Sequence, residues 1–228
     1  MPYLQSQSLE EKIHTSIASS LINLQTGTPE DSYIDCLVLH SPLPTYAETV
    51  KAWQVFSSYV PHKIRALGIS NTPFSILKSL HNDMKIKPSV VQNRFHEAKN
   101  WEVQLRKFCR SNEIVFQSFW TYTGNPKLLQ TEPIKVLNAK LLLQGIETDE
   151  VQLIYALVLG LEGITVLDGT SKPEKMKADL DVIQKIAIWS ENEGKEEWAA
   201  LLSEFKAIIG ENQEAHNEGS YRIRRLPS

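Results

Sequence analysis

A histidine at the end of a short apolar run is the first residue whose type and position could support proton transfer. Ile34–Leu39 is long enough for a strand buried on both faces, and Pro42 and Pro44 end it just after His40. Imidazole titrates near pH 6.5, so it can move a proton at neutral pH. The carboxyl end of a parallel strand is where α/β barrels place reacting groups. The alternative interpretation is a packed or solvent-facing loop histidine.

Composition restricts the classes of protein to which the chain can belong. The 228 residues are 42% hydrophobic and 22% charged, which is typical of a single globular domain. A net charge of −3 argues against a general nucleic-acid binder. We find no run of about 18 apolar residues and no N-terminal apolar segment, so we expect neither a membrane span nor a signal peptide. The expected compartment is the cytoplasm, and two cysteines predict neither a disulfide framework nor a metal site.

Helix and strand patterns alternate along most of the chain. Ser8 and Glu11 form a capping box at the start of a leading amphipathic helix. Five short apolar strands follow, each succeeded by a helical pattern, and this rhythm predicts a parallel sheet with right-handed crossovers. The polar residues gather in the loops after the strands, at the carboxyl edge of the sheet. The predicted strands are 34–39, 63–71, 88–93, 113–120 and 163–167.

A last apolar helical face follows the alternating region. Trp198, Leu202 and Phe205 lie on it, and Gly210 ends it. We predict one domain over residues 1–210. Residues 211–228 are polar with a basic finish, and we predict a disordered tail there.

Five segments of the sequence, in order and at consistent spacing, resemble strand and loop motifs of the aldo-keto reductase family. The resemblance covers residues from about 9 to 189 and implies the α/β fold of that family, a (β/α)8 TIM barrel. The five segments are DSYIDCLVLH at 31–40, KIRALGISN at 63–71, VVQN at 90–93, FQSFW at 116–120 and VQLIYALVLGLEGITVLDGTS at 151–171.

The resemblance implies roles for five residues around a nicotinamide ring. His40 would orient the carbonyl group of the substrate. Ser70 and Asn71 would hydrogen-bond the nicotinamide carboxamide, and Gln92 would complete that contact. Trp120 would stack on the face of the nicotinamide ring, because a planar ring suits an aromatic side chain.

The resemblance also implies a site for the phosphates of NADP. The loop at 123–127 would lie along the pyrophosphate. Hydroxyl groups, backbone amides and lysines suit phosphate. The family often has arginine at the position of Lys175, and it has other residues at Ala178 and Asp179. The residues expected at the 2′-phosphate are Gly169, Thr170, Ser171, Lys172 and Lys175.

The resemblance covers only the last five of the family's eight barrel strands. We therefore expect an incomplete (β/α)8 barrel, with about five parallel strands, alternating helices and a C-terminal helix. The family's aspartate-tyrosine pair and lysine belong to the unmatched part. Without that tyrosine, reduction by the usual route lacks its general acid, a contribution of roughly 10² to 10⁴ in rate. Tyr46 and Tyr122 are alternative acids, or packing residues.

An open arc of five strands leaves two apolar sheet edges, whereas a closed barrel has none. We expect the helix at about 190–210 to cover an edge, or two chains to form a homodimer through their edges. A poorly folded remnant of a barrel is the third outcome.

Three functions are compatible with these features. The first is an NADP-linked oxidoreductase lineage acting on a carbonyl or alcohol small molecule. The second is a cofactor-independent lyase, isomerase or cyclase that uses His40 beside Phe95, His96 and Trp120. The third is a pseudoenzyme that binds a partner protein. The phrase TGNPKLLQ at 123–130 resembles fungal members of the family and suggests specialised metabolism.

Overall fold

The computed structural model of the chain has two compact units, Met1–Gln92 and Asn93–Ser228. The structure describes residues 2–25, 27–28 and 30–211. The single domain expected over residues 1–210 stays a prediction, and most of the expected tail, residues 212–228, lies outside the described residues.

The first unit begins with a capped helix and builds parallel strands. The Ser8 hydroxyl accepts from the amide of Glu11, whose carboxylate accepts in return from the Ser8 amide, so the predicted capping box is confirmed. Strand order is β1-β2-β3, with parallel pairing throughout. The elements are α1 Leu9–Asn23, β1 Ile34–Leu39, α2 Tyr46–Ser57, β2 Ile64–Ser70, α3 Phe74–Asp83 and β3 Val90–Arg94, whose last two residues belong to the second unit.

Strand β1 departs from the expectation of burial on both faces. Only Ile34 is buried; Asp35 is exposed, and the residues from Cys36 to Leu39 are half-buried. In contrast, Leu67 and Ile69 of the neighbouring strand β2 have no exposed surface. Within the described residues β1 pairs with β2 alone and stands first in the strand order, so one of its edges has no strand partner. A strand with one neighbour leaves part of its side chains accessible.

The second unit continues the alternation of strands and helices. Asp149 caps α6 by accepting from the amide of Gln152. Strands β4 and β5 pair in parallel. The elements are a 3₁₀ turn Glu97–Glu102, α4 Val103–Ser111, β4 Val115–Phe119, a 3₁₀ turn Leu128–Gln130, α5 Glu132–Leu143, α6 Glu150–Leu159, β5 Ile164–Val166, α7 Pro173–Glu191 and α8 Lys195–Ile208.

Helix α8 buries the apolar face that the sequence indicates. It packs against α5 and α7, with Trp198 and Phe205 almost fully enclosed. Gly160, at the end of α6, permits this packing, because a Cβ atom there would lie 2.8 Å from Cζ2 of Trp198. Any larger residue at position 160 would displace that indole. The predicted role of this helix as cover for a strand edge stays a prediction.

Five parallel strands that alternate with helices, followed by a C-terminal helix, confirm the predicted fold class, an incomplete (β/α)8 barrel. The cores of both units are aliphatic and aromatic, as in Leu77 and Phe116. No helix within the described ranges combines the length and the apolar character needed to cross a bilayer.

Candidate functional site

Asn71 joins the carboxyl ends of the three strands of the first unit. It follows β2 directly and has a left-handed backbone with φ of 49°. Its amide donates to the Gln92 carbonyl at 3.1 Å, and its Nδ2 donates to the His40 carbonyl at 2.9 Å and to the Ser70 Oγ at 3.1 Å. Asparagine tolerates this conformation better than most residues. The sequence-predicted residues of the first unit therefore lie together, at one edge of parallel strands.

Ser70 is an internal support of this group. Only 2% of the residue is exposed, and its hydroxyl donates to the Gln92 carbonyl at 2.7 Å. The same oxygen accepts from Asn71. Because the hydroxyl hydrogen is used within the protein, Ser70 is suited to hold Asn71 and β3 in place.

His40 contributes its backbone to the group and leaves its side chain in solvent. The residue is exposed, at the end of β1. Its carbonyl accepts from Asn71. The imidazole has no hydrogen-bond partner within the described residues. Its ring is therefore free to turn toward a bound molecule.

The two tyrosines considered as alternative acids both face carboxylates. The Tyr46 hydroxyl donates to Oδ2 of Asp83 at 2.6 Å, and burial together with this carboxylate raises the pKa of Tyr46 to about 12. The Tyr122 hydroxyl lies 3.5 Å from Oε2 of Glu150. In Tyr46 the phenol proton is held more firmly, which is the opposite of what a general acid needs near neutral pH.

Trp120 presents an exposed indole directly after β4 in the second unit. It has a left-handed backbone, with φ of 59°, and 53% of the residue is exposed. The Arg94 guanidinium carbon lies 4.5 Å from the centre of its ring, and the rings of His96 and Trp120 are 6.1 Å apart. A large aromatic side chain in strained backbone and open to solvent can stack on a planar ligand.

Asn125 fixes the loop that carries Trp120, a role that the sequence analysis missed. Its Nδ2 donates to the carbonyls of Phe95 at 2.6 Å and Thr121 at 2.9 Å. Its Oδ1 accepts from the indole nitrogen of Trp101 at 2.9 Å. The only local signal was the turn-forming pair Asn125-Pro126, which does not reveal partners so far away in sequence.

The loop after β5 is open and locally ordered by its own polar groups. Oδ1 of Asp168 accepts from the Thr170 amide at 3.3 Å, and the Thr170 hydroxyl accepts from the Lys172 amide at 3.2 Å. Gly169, Ser171 and Lys172 are exposed. A Cβ atom on Gly169 would meet nothing within 4 Å, so the space beside this loop is open.

Lys175, at the start of α7, is bound to two carboxylates. Its ammonium lies 3.1 Å from Oδ2 of Asp149 and 3.3 Å from Oδ1 of Asp179. The hydrogen bond to Asp149 raises the pKa of Lys175. Asp179 also accepts from Gln152 Nε2 at 2.9 Å. The residues expected around a 2′-phosphate thus all lie in the second unit, and the carboxylates of Asp149, Asp168 and Asp179 contact some of them.

The match to a family model decides the family of this chain. The model of the aldo/keto reductase family matches residues 3–186. The chain belongs to that family. The resemblance stated from the five motifs is therefore confirmed.

Two curated relatives of the aldo/keto reductase chain are themselves reductases. It is 31% identical over 109 residues to the glyoxal reductase of Bacillus subtilis, a match covering 47% of this chain and 38% of the relative. It is 27% identical over 157 residues to the NAD/NADP-dependent indole-3-acetaldehyde reductase of Schizosaccharomyces pombe, covering 65% and 53%. The chain thus spans about half the length of the curated relatives it matches, or less.

Solved aldo-keto reductases have the same fold as this chain. The Brucella melitensis enzyme has 20% identity and a TM-score of 0.62, over 79% of this chain and 65% of that one. An aldo-keto reductase of the silkworm Bombyx mori, complexed with NADPH, has 16% identity and a TM-score of 0.60, over 85% and 59%. At such identities the likeness shows the fold alone.

Proposed function

We propose that this aldo/keto reductase chain binds a nicotinamide cofactor and belongs to an oxidoreductase acting on a small carbonyl compound or the corresponding alcohol. The proposal is supported most by the hydrogen-bonded group of His40, Ser70, Asn71 and Gln92 at the carboxyl ends of β1, β2 and β3. In parallel α/β sheets that edge is where ligands bind. The reductase relatives and the NADPH-bound family member support the same class.

The residues present have the chemistry that a nicotinamide cofactor requires. Asn71 and Gln92 carry amide groups, which can pair with a carboxamide. Trp120 offers an indole face open to solvent, and the loop at 169–172 carries the Thr170 and Ser171 hydroxyls, which suit phosphate. When bound, the cofactor would supply the hydride of a reduction.

His40 is the residue to which we assign contact with the substrate. Its imidazole is exposed and without a partner within the described residues, so it can donate a hydrogen bond to a carbonyl oxygen. The aspartate, tyrosine and lysine of the family's usual acid group have no assigned positions in this chain. Tyr46, held by Asp83, is not assigned that role.

Titration of the full chain with NADH and with NADPH tests the cofactor. We expect quenching of tryptophan fluorescence and saturation below millimolar nucleotide. Trp120→Leu should weaken binding severalfold. Trp101→Phe removes the hydrogen bond from the Trp101 indole to Asn125, and so tests the support of the loop that carries Trp120. No binding of either nucleotide at millimolar concentration would contradict the proposed function.

A comparison of His40→Ala with His62→Ala tests the substrate contact. Both residues are exposed, and only His40 follows the strand end that Asn71 binds. With a panel of small aldehydes and ketones, we expect His40→Ala to lower kcat/KM by tenfold or more and His62→Ala to leave it unchanged. Turnover that needs His40 but no nucleotide would instead favour the lyase, isomerase or cyclase hypothesis.

A further inference from the structure

We propose that the region around Lys175 selects NAD(H) and disfavours the 2′-phosphate of NADP(H). This inference rests on the proposed function, because it concerns the adenosine end of the same cofactor. The sequence predicts NADP, and this inference replaces it with NAD, which lacks the 2′-phosphate. The reason is the charge that surrounds Lys175.

The ammonium group of Lys175 is already committed to two carboxylates. It lies 3.1 Å from Oδ2 of Asp149 and 3.3 Å from Oδ1 of Asp179. A phosphate at this place would have to displace both carboxylates or approach a cation that they already neutralise. Lysine is a point charge, and it lacks the bidentate fork with which arginine holds a phosphate.

Asp179 makes the environment more strongly anionic than the ion pairs alone suggest. Only 4% of the residue is exposed, yet its Oδ2 atom is buried without a hydrogen-bond partner within the described part of the chain. Its other oxygen accepts from Gln152 and Lys175. A buried acceptor with an open lone pair favours a hydroxyl donor and repels an anion.

The local balance of charge points the same way. Asp149 and Asp179 face Lys175, and Asp168 accepts from the Thr170 amide within the adjacent loop. Lys172 is the other cation of that loop. A phosphate monoester adds about −1.5 to −2 charges at pH 7. Three carboxylates against two ammonium groups therefore oppose its binding.

A ribose without the phosphate suits this group of residues. Its 2′-hydroxyl can donate to a carboxylate oxygen, and its other lone pairs can accept from Lys175 or Lys172. In dinucleotide-binding proteins of the doubly wound class, an acidic residue at the ribose favours NAD and an arginine favours NADP. The same chemistry applies here on another fold.

Competitive titration of the full chain with NADH and NADPH provides the test. We expect NADH to bind at least threefold more tightly than NADPH. Asp149→Asn should tighten NADPH binding about tenfold and change NADH binding less than twofold, since one charge repels the phosphate. Asparagine also caps a helix, so α6 should keep its N-terminus. Asp181→Asn, an exposed position on the same helix as Lys175, is the matched control and should change neither affinity.

Each outcome decides between the proposals. Equal affinities, or tighter binding of NADPH by the unmodified chain, would overturn this inference and leave the proposed function standing. The inference would also fail if Asp149→Asn and Asp181→Asn had the same effect on NADPH. Absence of binding by both nucleotides would overturn the inference together with the proposed function.

Discussion

Two groups of charged residues in the second unit each contain one residue held by two partners of opposite charge, but one group is buried and the other is partly exposed. The Glu211 carboxylate accepts hydrogen bonds from Arg106 Nη1 at 3.1 Å and from Arg110 Nη2 at 2.9 Å. The side chains of Arg106 and Glu211 are only 3% and 5% exposed. Lys175 makes two contacts of similar length, but 37% of its side chain is exposed. The two groups differ in burial and not in the number of ion pairs, and burial decides how much the loss of one partner costs.

The buried group also supports the strained turn before α4. Arg106 Nε donates to the Trp101 carbonyl at 2.8 Å. Asn100, Trp101 and Glu102 all have left-handed backbone, with φ between 44° and 54°. Such conformations cost of order 1–3 kcal/mol each and persist only where neighbours hold them. Arg106 is one of those neighbours, so its ion pair with Glu211 also helps to hold the backbone of this turn in place.

Glu211 is the first residue of the segment that the sequence predicts to be a disordered tail, and the one residue of it that the structure describes. It is buried and forms two ion pairs. Its amide also donates to the Lys206 carbonyl at 2.8 Å, just past the left-handed Gly210. Glu211 is therefore anchored to the second unit through both its backbone and its side chain.

The largest effect is expected from Glu211→Ala. Removing one partner leaves the buried Arg106 guanidinium without its counter-charge, and such changes cost about 3–5 kcal/mol. Urea unfolding should give that decrease in the free energy of unfolding. Glu204→Ala, at an exposed position on α8, is the control and should stay within about 0.5 kcal/mol. A loss of less than about 1 kcal/mol for Glu211→Ala would show that the burial of this pair contributes little.

Acid should remove the stability that the Glu211 ion pairs contribute, because the carboxylate loses its charge as the pH falls. Burial alone would raise the pKa of Glu211, but Arg106 and Arg110 outweigh burial and lower it below the ordinary value of 4.5. A lowered folded-state pKa gives stability that is present above pH 4.5 and lost as the pH falls through the folded value. The stability difference between the unmodified chain and Glu211→Gln should therefore shrink between about pH 5 and pH 2. A difference independent of pH over that range would contradict the ion pair.

Lys175→Met should have a small effect on stability. The ammonium is more than one-third exposed, and exposed ion pairs contribute about 0–1 kcal/mol. The partner Asp179 is buried, so the loss should lie toward the upper end of that range. Thermal unfolding of Lys175→Met and Lys175→Arg separates loss of charge from loss of the side chain. A decrease as large as that of Glu211→Ala would remove the contrast between the two groups.

The smallest effect is expected at Lys127 and Glu97. Their charged groups lie 2.8 Å apart, with 80% and 57% of the side chains exposed. A double-mutant cycle of Lys127→Met and Glu97→Gln should give a coupling energy of at most about 0.5 kcal/mol. The shortest of these contacts would then be the weakest. Solvent exposure would therefore determine the strength of an ion pair more than the distance between its charges does. A coupling above about 1 kcal/mol would reverse that ranking.

The sequence alone determined the fold class, the order of the elements and the capped helix starts. Apolar periodicity and capping residues are local signals, so Ser8 and Glu11 could be interpreted without knowing what lies opposite them. The same holds for His40 and Asn71, since a strand end is recognised from the residues beside it. Their contact through the His40 carbonyl follows from parallel register.

Only the tertiary structure decided which charges are neutralised and which strand edge has no partner. The sequence predicts that Lys175 meets a phosphate, and only the fold shows that Asp149, 26 positions earlier, lies 3.1 Å from its ammonium. Only the fold shows that Glu211 contacts Arg106, 105 positions earlier. The energy of a charge depends on its neighbours and on the surrounding dielectric, and chain order specifies neither.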